Sequence, residues 1–101
     1  MKTQLLSPEV QKLFEALGLV PVMIINDAGE KYVGILYSFA IEWLFEKHGI
    51  DFKTIPFHGR WGGAIMDFRF KESSHTEVFT ERYDCVMQGL KQCVELIAKA
   101  A

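Results

Sequence analysis

The chain has no apolar run long enough to span a bilayer. Its longest, Gly18 to Asn26, falls well short of the roughly 20 residues a membrane helix needs. An excess of one charge is missing too, with 11 Lys and Arg against 13 Asp and Glu, so no global field steers the protein toward nucleic acid or anionic lipid. Cysteine is scarce. Cys85 and Cys93 fall on one predicted helix about 12 Å apart along its axis, whereas a disulfide needs Cα atoms about 4.4–6.8 Å apart. Two reduced thiols are therefore expected, serving as small hydrophobes at a core margin. No catalytic, metal or nucleotide signature stands anywhere in the sequence, and no cofactor is called for. Met1, Lys2, Thr3 and Gln4 lead into an amphipathic helix and not into the apolar core of a signal peptide. The expectation is a cytoplasmic protein with no membrane association.

What the chain has is apolar material. Half of its 101 residues are hydrophobic, enough for one real core and too few residues for two, so residues 1–101 read as a single domain. Ser7-Pro8-Glu9 is a helix start, combining a capping oxygen with a proline whose missing donor costs nothing at the first position. Val10, Leu13, Phe14 and Leu17 follow at helical spacing, and Gly18 supplies the stop. Pro21 to Ile25 reads as a strand. Asn26-Asp27-Ala28-Gly29 has the residues of a type I turn with a bulge at Gly29, and Lys31 to Ile35 is the return strand, with early helix as the alternative for residues 31–36. A helix over residues 38–48 follows, capped by Ser38 and ended by Gly49.

That central helix has almost no polar surface. Glu42 and Glu46 hold its only polar sector, while Phe39, Ala40, Ile41, Trp43, Leu44 and Phe45 sweep the rest. It must be covered on several sides, which predicts self-association as a twofold dimer. Ile50 to Phe57 and Gly63 to Lys71 form a second hairpin. Setting Phe52 opposite Phe68, Ile50 opposite Phe70 and Thr54 opposite Met66 puts Asp51 opposite Arg69 and Lys53 opposite Asp67 on the other face, an arrangement antiparallel pairs favour. Pro56 has no donor, which places its strand at an edge. Residues 72–79 read as a polar connection, and Thr80 caps a long helix with Tyr83, Val86, Met87, Leu90, Val94 and Ile97 in one stripe. The fold class is α+β, in the order helix, hairpin, helix, hairpin, helix, with the helices packed on one face of an antiparallel sheet.

Leu36-Tyr37-Ser38-Phe39-Ala40-Ile41-Glu42-Trp43-Leu44-Phe45-Glu46-Lys47-His48-Gly49-Ile50, with Phe79-Thr80-Glu81-Arg82-Tyr83-Asp84-Cys85-Val86-Met87 leading into Leu96-Ile97, resembles a small uncharacterised protein family of Bacteroidetes phages and mobile elements. The resemblance covers nearly the whole chain and rests on packing and capping residues. It departs where Tyr83-Asp84-Cys85 replaces a small-residue turn. The family carries no known activity, so the resemblance implies a context and no mechanism.

Chemical candidates are few. His48, His58 and His75 sit at no ligand spacing with Cys85, Cys93 or a carboxylate, so no metal site is expected. His48 reads as a cation or donor at a helix C-terminus, and Ser73-Ser74-His75 lacks a third group to orient a base. No nucleophile, base and orienting group can be assembled, which leans against an enzyme. One segment exceeds what packing requires: His58-Gly59-Arg60-Trp61-Gly62-Gly63 at the tip of the second hairpin. Its glycines let a partner approach the backbone, and Arg beside Trp is a pairing enriched in binding hot spots. His58, Arg60 and Trp61 are the candidate partner-binding residues, and a small interaction protein that binds another protein is the leading reading. The alternative is a nucleic-acid-binding module using Lys53, Arg60, Trp61, Arg69 and Lys71 along the hairpin, weakened by Asp51 and Asp67 in the same strip.

Overall fold

The computed structural model describes residues 4–100, so the reading of Met1, Lys2 and Thr3 lies outside the described residues. The elements run α1 (Pro8–Ala16), β1 (Val22–Ile25), β2 (Lys31–Gly34), α2 (Tyr37–His48), β3 (Ile50–Phe57), β4 (Arg60–Asp67), β5 (Glu72–His75) and α3 (Arg82–Ala100). The fold is α+β, with three helices and two small antiparallel sheets, β1-β2 and β3-β4-β5. Among the described residues no helix is long and apolar enough to cross a membrane.

Local signals place the first half. The Ser7 hydroxyl accepts the Val10 N–H at 3.3 Å, and Val10 and Phe14 are the buried pair of α1. In the first hairpin the Gly29 N–H donates to the Asn26 carbonyl and the Asn26 N–H donates to the Glu30 carbonyl, each at 3.0 Å. Gly29 holds φ at +80°, the left-handed position that a bulged three-residue loop requires. Residues 31–34 are therefore strand. Helix α2 starts earlier than Ser38 and without a side-chain cap. Leu36 is kept extended by an antiparallel bridge to Leu5, and its carbonyl already accepts the Ala40 N–H, so Ser38 has no capping role to fill. Gly49 ends the helix at φ +65°.

The second hairpin differs from expectation in register. Phe52 faces Ile65 and Ile50 faces Asp67, so Phe52 is 2% exposed while Phe68 lies beyond the strand at 55%. The cause is the turn. His58 and Gly59 both have positive φ, +48° and +75°, which makes a two-residue type I′ connection and sets Phe57 opposite Arg60. The expected cross-strand ion pairs are replaced by pairs two positions apart in sequence: Arg69 with Asp67 at 2.8 Å and Lys53 with Asp51 at 3.7 Å. A further difference is β5. Residues 72–75 are not a free connection but an edge strand paired with β4, all four residues exposed and so without an alternating pattern. Helix α3 begins at Arg82, with the Cys85 N–H donating to the Glu81 carbonyl at 3.3 Å, so Glu81 and not Thr80 flanks its first turn.

Helix α3 packs on β3 and β4, and α2 on β3 and α3. The joint is the Phe52 ring. A Cβ added at Gly63 would stand 2.7 Å from that ring, and one at Gly89 on α3 would intrude further still. Two glycines thus let helix and sheet close on one aromatic ring. Cys85, Leu90 and Cys93 complete this layer, and both thiols are free and buried. The molecule measures 43 × 36 × 20 Å. Its short axis holds one helix layer and one sheet layer, each about 10 Å deep.

Candidate functional site

Because the register is fixed by the His58-Gly59 turn, the two faces of the large sheet can be read off by strand alternation. Ile50, Phe52 and Thr54 share the helix-covered face with Trp61, Gly63, Ile65 and Asp67. Asp51, Lys53, Ile55 and Phe57 share the opposite face with Arg60, Gly62, Ala64 and Met66, joined by Ser73 and His75 of β5.

The three residues singled out from the sequence do not converge. His58 forms the turn and sets its ring edge-on to Phe57, centroids 4.7 Å apart. Arg60 is exposed beside Phe57. Trp61 is neither at the tip nor on their face. It pairs with Pro56, exchanges two backbone hydrogen bonds with Phe79 at 2.7 and 2.8 Å, and is half-buried under the Arg82 guanidinium, 5.2 Å from its ring centroid. The basic set of the nucleic-acid alternative is dispersed as well. Lys53 and Arg60 share the outer face, Trp61 lies on the other, and Lys71 and Arg69 sit in the turn between β4 and β5. Arg69 is committed to Asp67 by two guanidinium hydrogen bonds of 3.0 and 2.8 Å. Those bonds hold the Asp67 carboxyl below its usual range against the opposing effect of burial.

The uncovered outer face carries a groove instead. Gly62 and Ala64 make its floor, Ile55 and Phe57 one wall, His75 and Val78 the other, enclosing about 390 Å³. Ile55, Phe57 and Val78 are 51%, 58% and 46% exposed. A Cβ on Gly62 would meet nothing within 4 Å, so the trough is open and not filled from elsewhere. Arg60, the cross-strand neighbour of the wall residue Phe57, has no carboxylate partner among the described residues. Of the residues lining this groove, Gly62 and Gly63 stand out in the sequence as part of the Gly-rich segment and His75 only as a rejected ligand or base. A usable signal was present, since the apolar positions of β3 switch parity, from Ile50 and Phe52 to Ile55 and Phe57, and so change face midway.

Other titratable groups are accounted for by packing. His48 stacks edge-on to Trp43 at 5.0 Å. Burial, aided by the Arg69 charge, lowers its pKa, which disfavours the cationic form expected at the helix end and suits its packing against Trp43. Burial raises the Cys85 thiol and pushes Cys93 up to about 12, which leaves no activated nucleophile there. Among the described residues no group of three or more His, Cys, Asp or Glu side chains is placed to hold a metal. No protein-family model, no curated protein and no solved structure matches the chain.

Proposed function

We propose that the chain is a small interaction protein, of the phage and mobile-element type its sequence resembles, that binds an apolar segment of another protein along the outer face of β3, β4 and β5. The supporting observation is the trough over Gly62 and Ala64, walled by exposed Ile55, Phe57 and Val78. One missing side chain, at Gly62, and one methyl, at Ala64, on a central strand leave room for the side chains of a partner, and large exposed apolar residues around a shallow floor are a recognised mark of an interaction surface. The unpaired Arg60 beside the Phe57 wall suits a partner whose apolar segment is followed by a carboxylate. The two reduced thiols suit the cytoplasm, and self-association belongs to the same reading.

Filling the trough tests it. Gly62→Val adds a β-branched side chain where nothing obstructs it, so the melting temperature should hold or rise. Proteins captured from host lysate by the parent chain, and displaced by an excess of it, should be lost by Gly62→Val and kept by His58→Asn, which preserves the turn. An unchanged set of captured proteins on the Gly62→Val variant sinks the proposal.

A further inference from the structure

The β1-β2 hairpin and Val20 just before it expose a run of large apolar side chains. Val20, Val22, Met23, Ile25 and Val33 are 71%, 56%, 62%, 61% and 70% exposed, and the hairpin joins no third strand among the described residues. Two strands alone are marginal in water, and three or more are needed for independent stability. On the β2 side the return segment is tied down by the Leu5–Leu36 bridge and by the Leu6 N–H to the Ile35 carbonyl, which leaves the β1 edge as the unpaired one among the described residues.

The backbone identifies which edge is open. The Asn26 N–H bond to the Glu30 carbonyl sets the ladder phase, so Ile24 with Tyr32 and Val22 with Gly34 are the bonded pairs. Met23 and Ile25 must then turn their N–H and C=O groups outward along the free edge of β1. No residue from Pro21 to Ile25 is charged, although charge is the usual protection of such an edge. We infer that β1 is a self-association strand, pairing antiparallel with β1 of a second copy about a twofold axis through Ile24. In that register Met23 of each copy meets Ile25 of the other, and the outward groups supply four backbone hydrogen bonds. Pro21, the next outward position, has no N–H and ends the ladder there. Two hairpins become one four-stranded sheet, with the exposed Met23 and Ile25 side chains flanking each other across the seam.

The exposed α2 strip is the competing surface, and its charge argues against it. Phe39 and Phe45 are interleaved with Glu42 and Glu46, all exposed, so a twofold helix pair gathers four carboxylates, whereas β1 gathers none. Area sets the strength. Met23 and Ile25 flank the seam on one face and Val22 lies on the other, while Val20 and Val33 stand away from the edge, so the strand pair buries well under the roughly 1,000 Å² of a standard specific interface and the dimer is weak.

This inference rests on the self-association in the proposed function and on nothing in the groove, so it is tested on purified protein with no partner present. Sedimentation should show the mass rising from 11.6 kDa toward twice that between about 1 µM and about 1 mM. The Met23→Lys/Ile25→Lys variant should stay at the monomer mass while Gly62→Val dimerises normally. Amide exchange needs no variant: Met23 and Ile25 should gain protection of roughly tenfold or more at high concentration, and Ile24, already bonded to Tyr32, should not. A constant monomer mass overturns the inference. So does a dimer whose Met23 and Ile25 amides exchange equally fast at both concentrations, or one abolished by Phe45→Glu but not by the lysine pair.

Discussion

Replacing Gly89 with alanine probes the tightest joint in the molecule. In an exposed helix interior the change stabilises by about 1 kcal/mol, because alanine loses less conformational freedom. Here the new methyl lands inside van der Waals contact of the Phe52 ring, and the ring is backed by Gly63, where a Cβ would already sit 2.7 Å away. Ring and helix must therefore separate, and overpacking of this kind costs typically about 1–3 kcal/mol. The net expectation is a loss of up to about 2 kcal/mol, a fall of up to roughly 1 M in the urea midpoint with the slope unchanged. Phe52→Leu removes the ring atoms that obstruct the methyl. In that background the same Gly89→Ala change should be stabilising by up to about 1 kcal/mol. The change of sign is the diagnostic, since a site without coupling gives equal effects in both backgrounds. A rise in midpoint for Gly89→Ala alone, or equal shifts in both, refutes the account of the joint.

Asp67→Asn should cost roughly 1.5–3 kcal/mol at pH 7, the worth of hydrogen bonds to a charged group. The folded carboxyl of Asp67 is lowered by Arg69, so its stabilisation is full above the ordinary carboxylate pKa of about 3.9 and is lost as pH falls through the lower folded value. The gap between parent and variant should close below about pH 4, and a constant gap down to pH 2.5 contradicts the pairing. Trp61→Ala should lower stability by roughly 1–3 kcal/mol while Arg60→Ala stays within about 0.5 kcal/mol, measured by urea unfolding. Equal small effects place Trp61 outside the packed layer.

Features set by a few adjacent residues were legible in the sequence. The Ser7-Pro8 start of α1, the Asn26 to Gly29 loop and the Gly49 stop each need one side-chain oxygen or one positive φ, and those demands select residue types directly. Register was not legible in the same way. Complementary charges at Asp51, Lys53, Asp67 and Arg69 suited cross-strand pairing, yet neighbours two positions apart satisfied them equally well, leaving the turn to decide. His58-Gly59 was visible as a turn but was read as part of a longer tip, and that single misreading put Trp61 at the tip instead of in β4. Strand β5 had no signal to read, since Glu72 to His75 is exposed on both faces. The roles of Gly63 and Gly89 depend on a ring brought from β3, a contact no local pattern encodes.

The candidate surfaces escaped the sequence for a related reason. Apolar residues look the same in a list whether they end in a core or on a face, and half of this chain is hydrophobic. A body only 20 Å thick has one interior plane, between the helices and the inner sheet face, and Phe14, Leu44, Phe52 and Leu90 fill it. The surplus must go outward. It does so in two places whose chemistry differs: an uncharged strand edge at Met23 and Ile25, and a trough beside the unpaired Arg60. An uncharged edge offers outward amides that its own copy can answer in register, whereas a basic group beside a groove is answered by a carboxylate and not by its own symmetry mate. The same physical surplus thus underlies both proposals, like pairing with like on β1 and a different protein on the outer face of β3, β4 and β5.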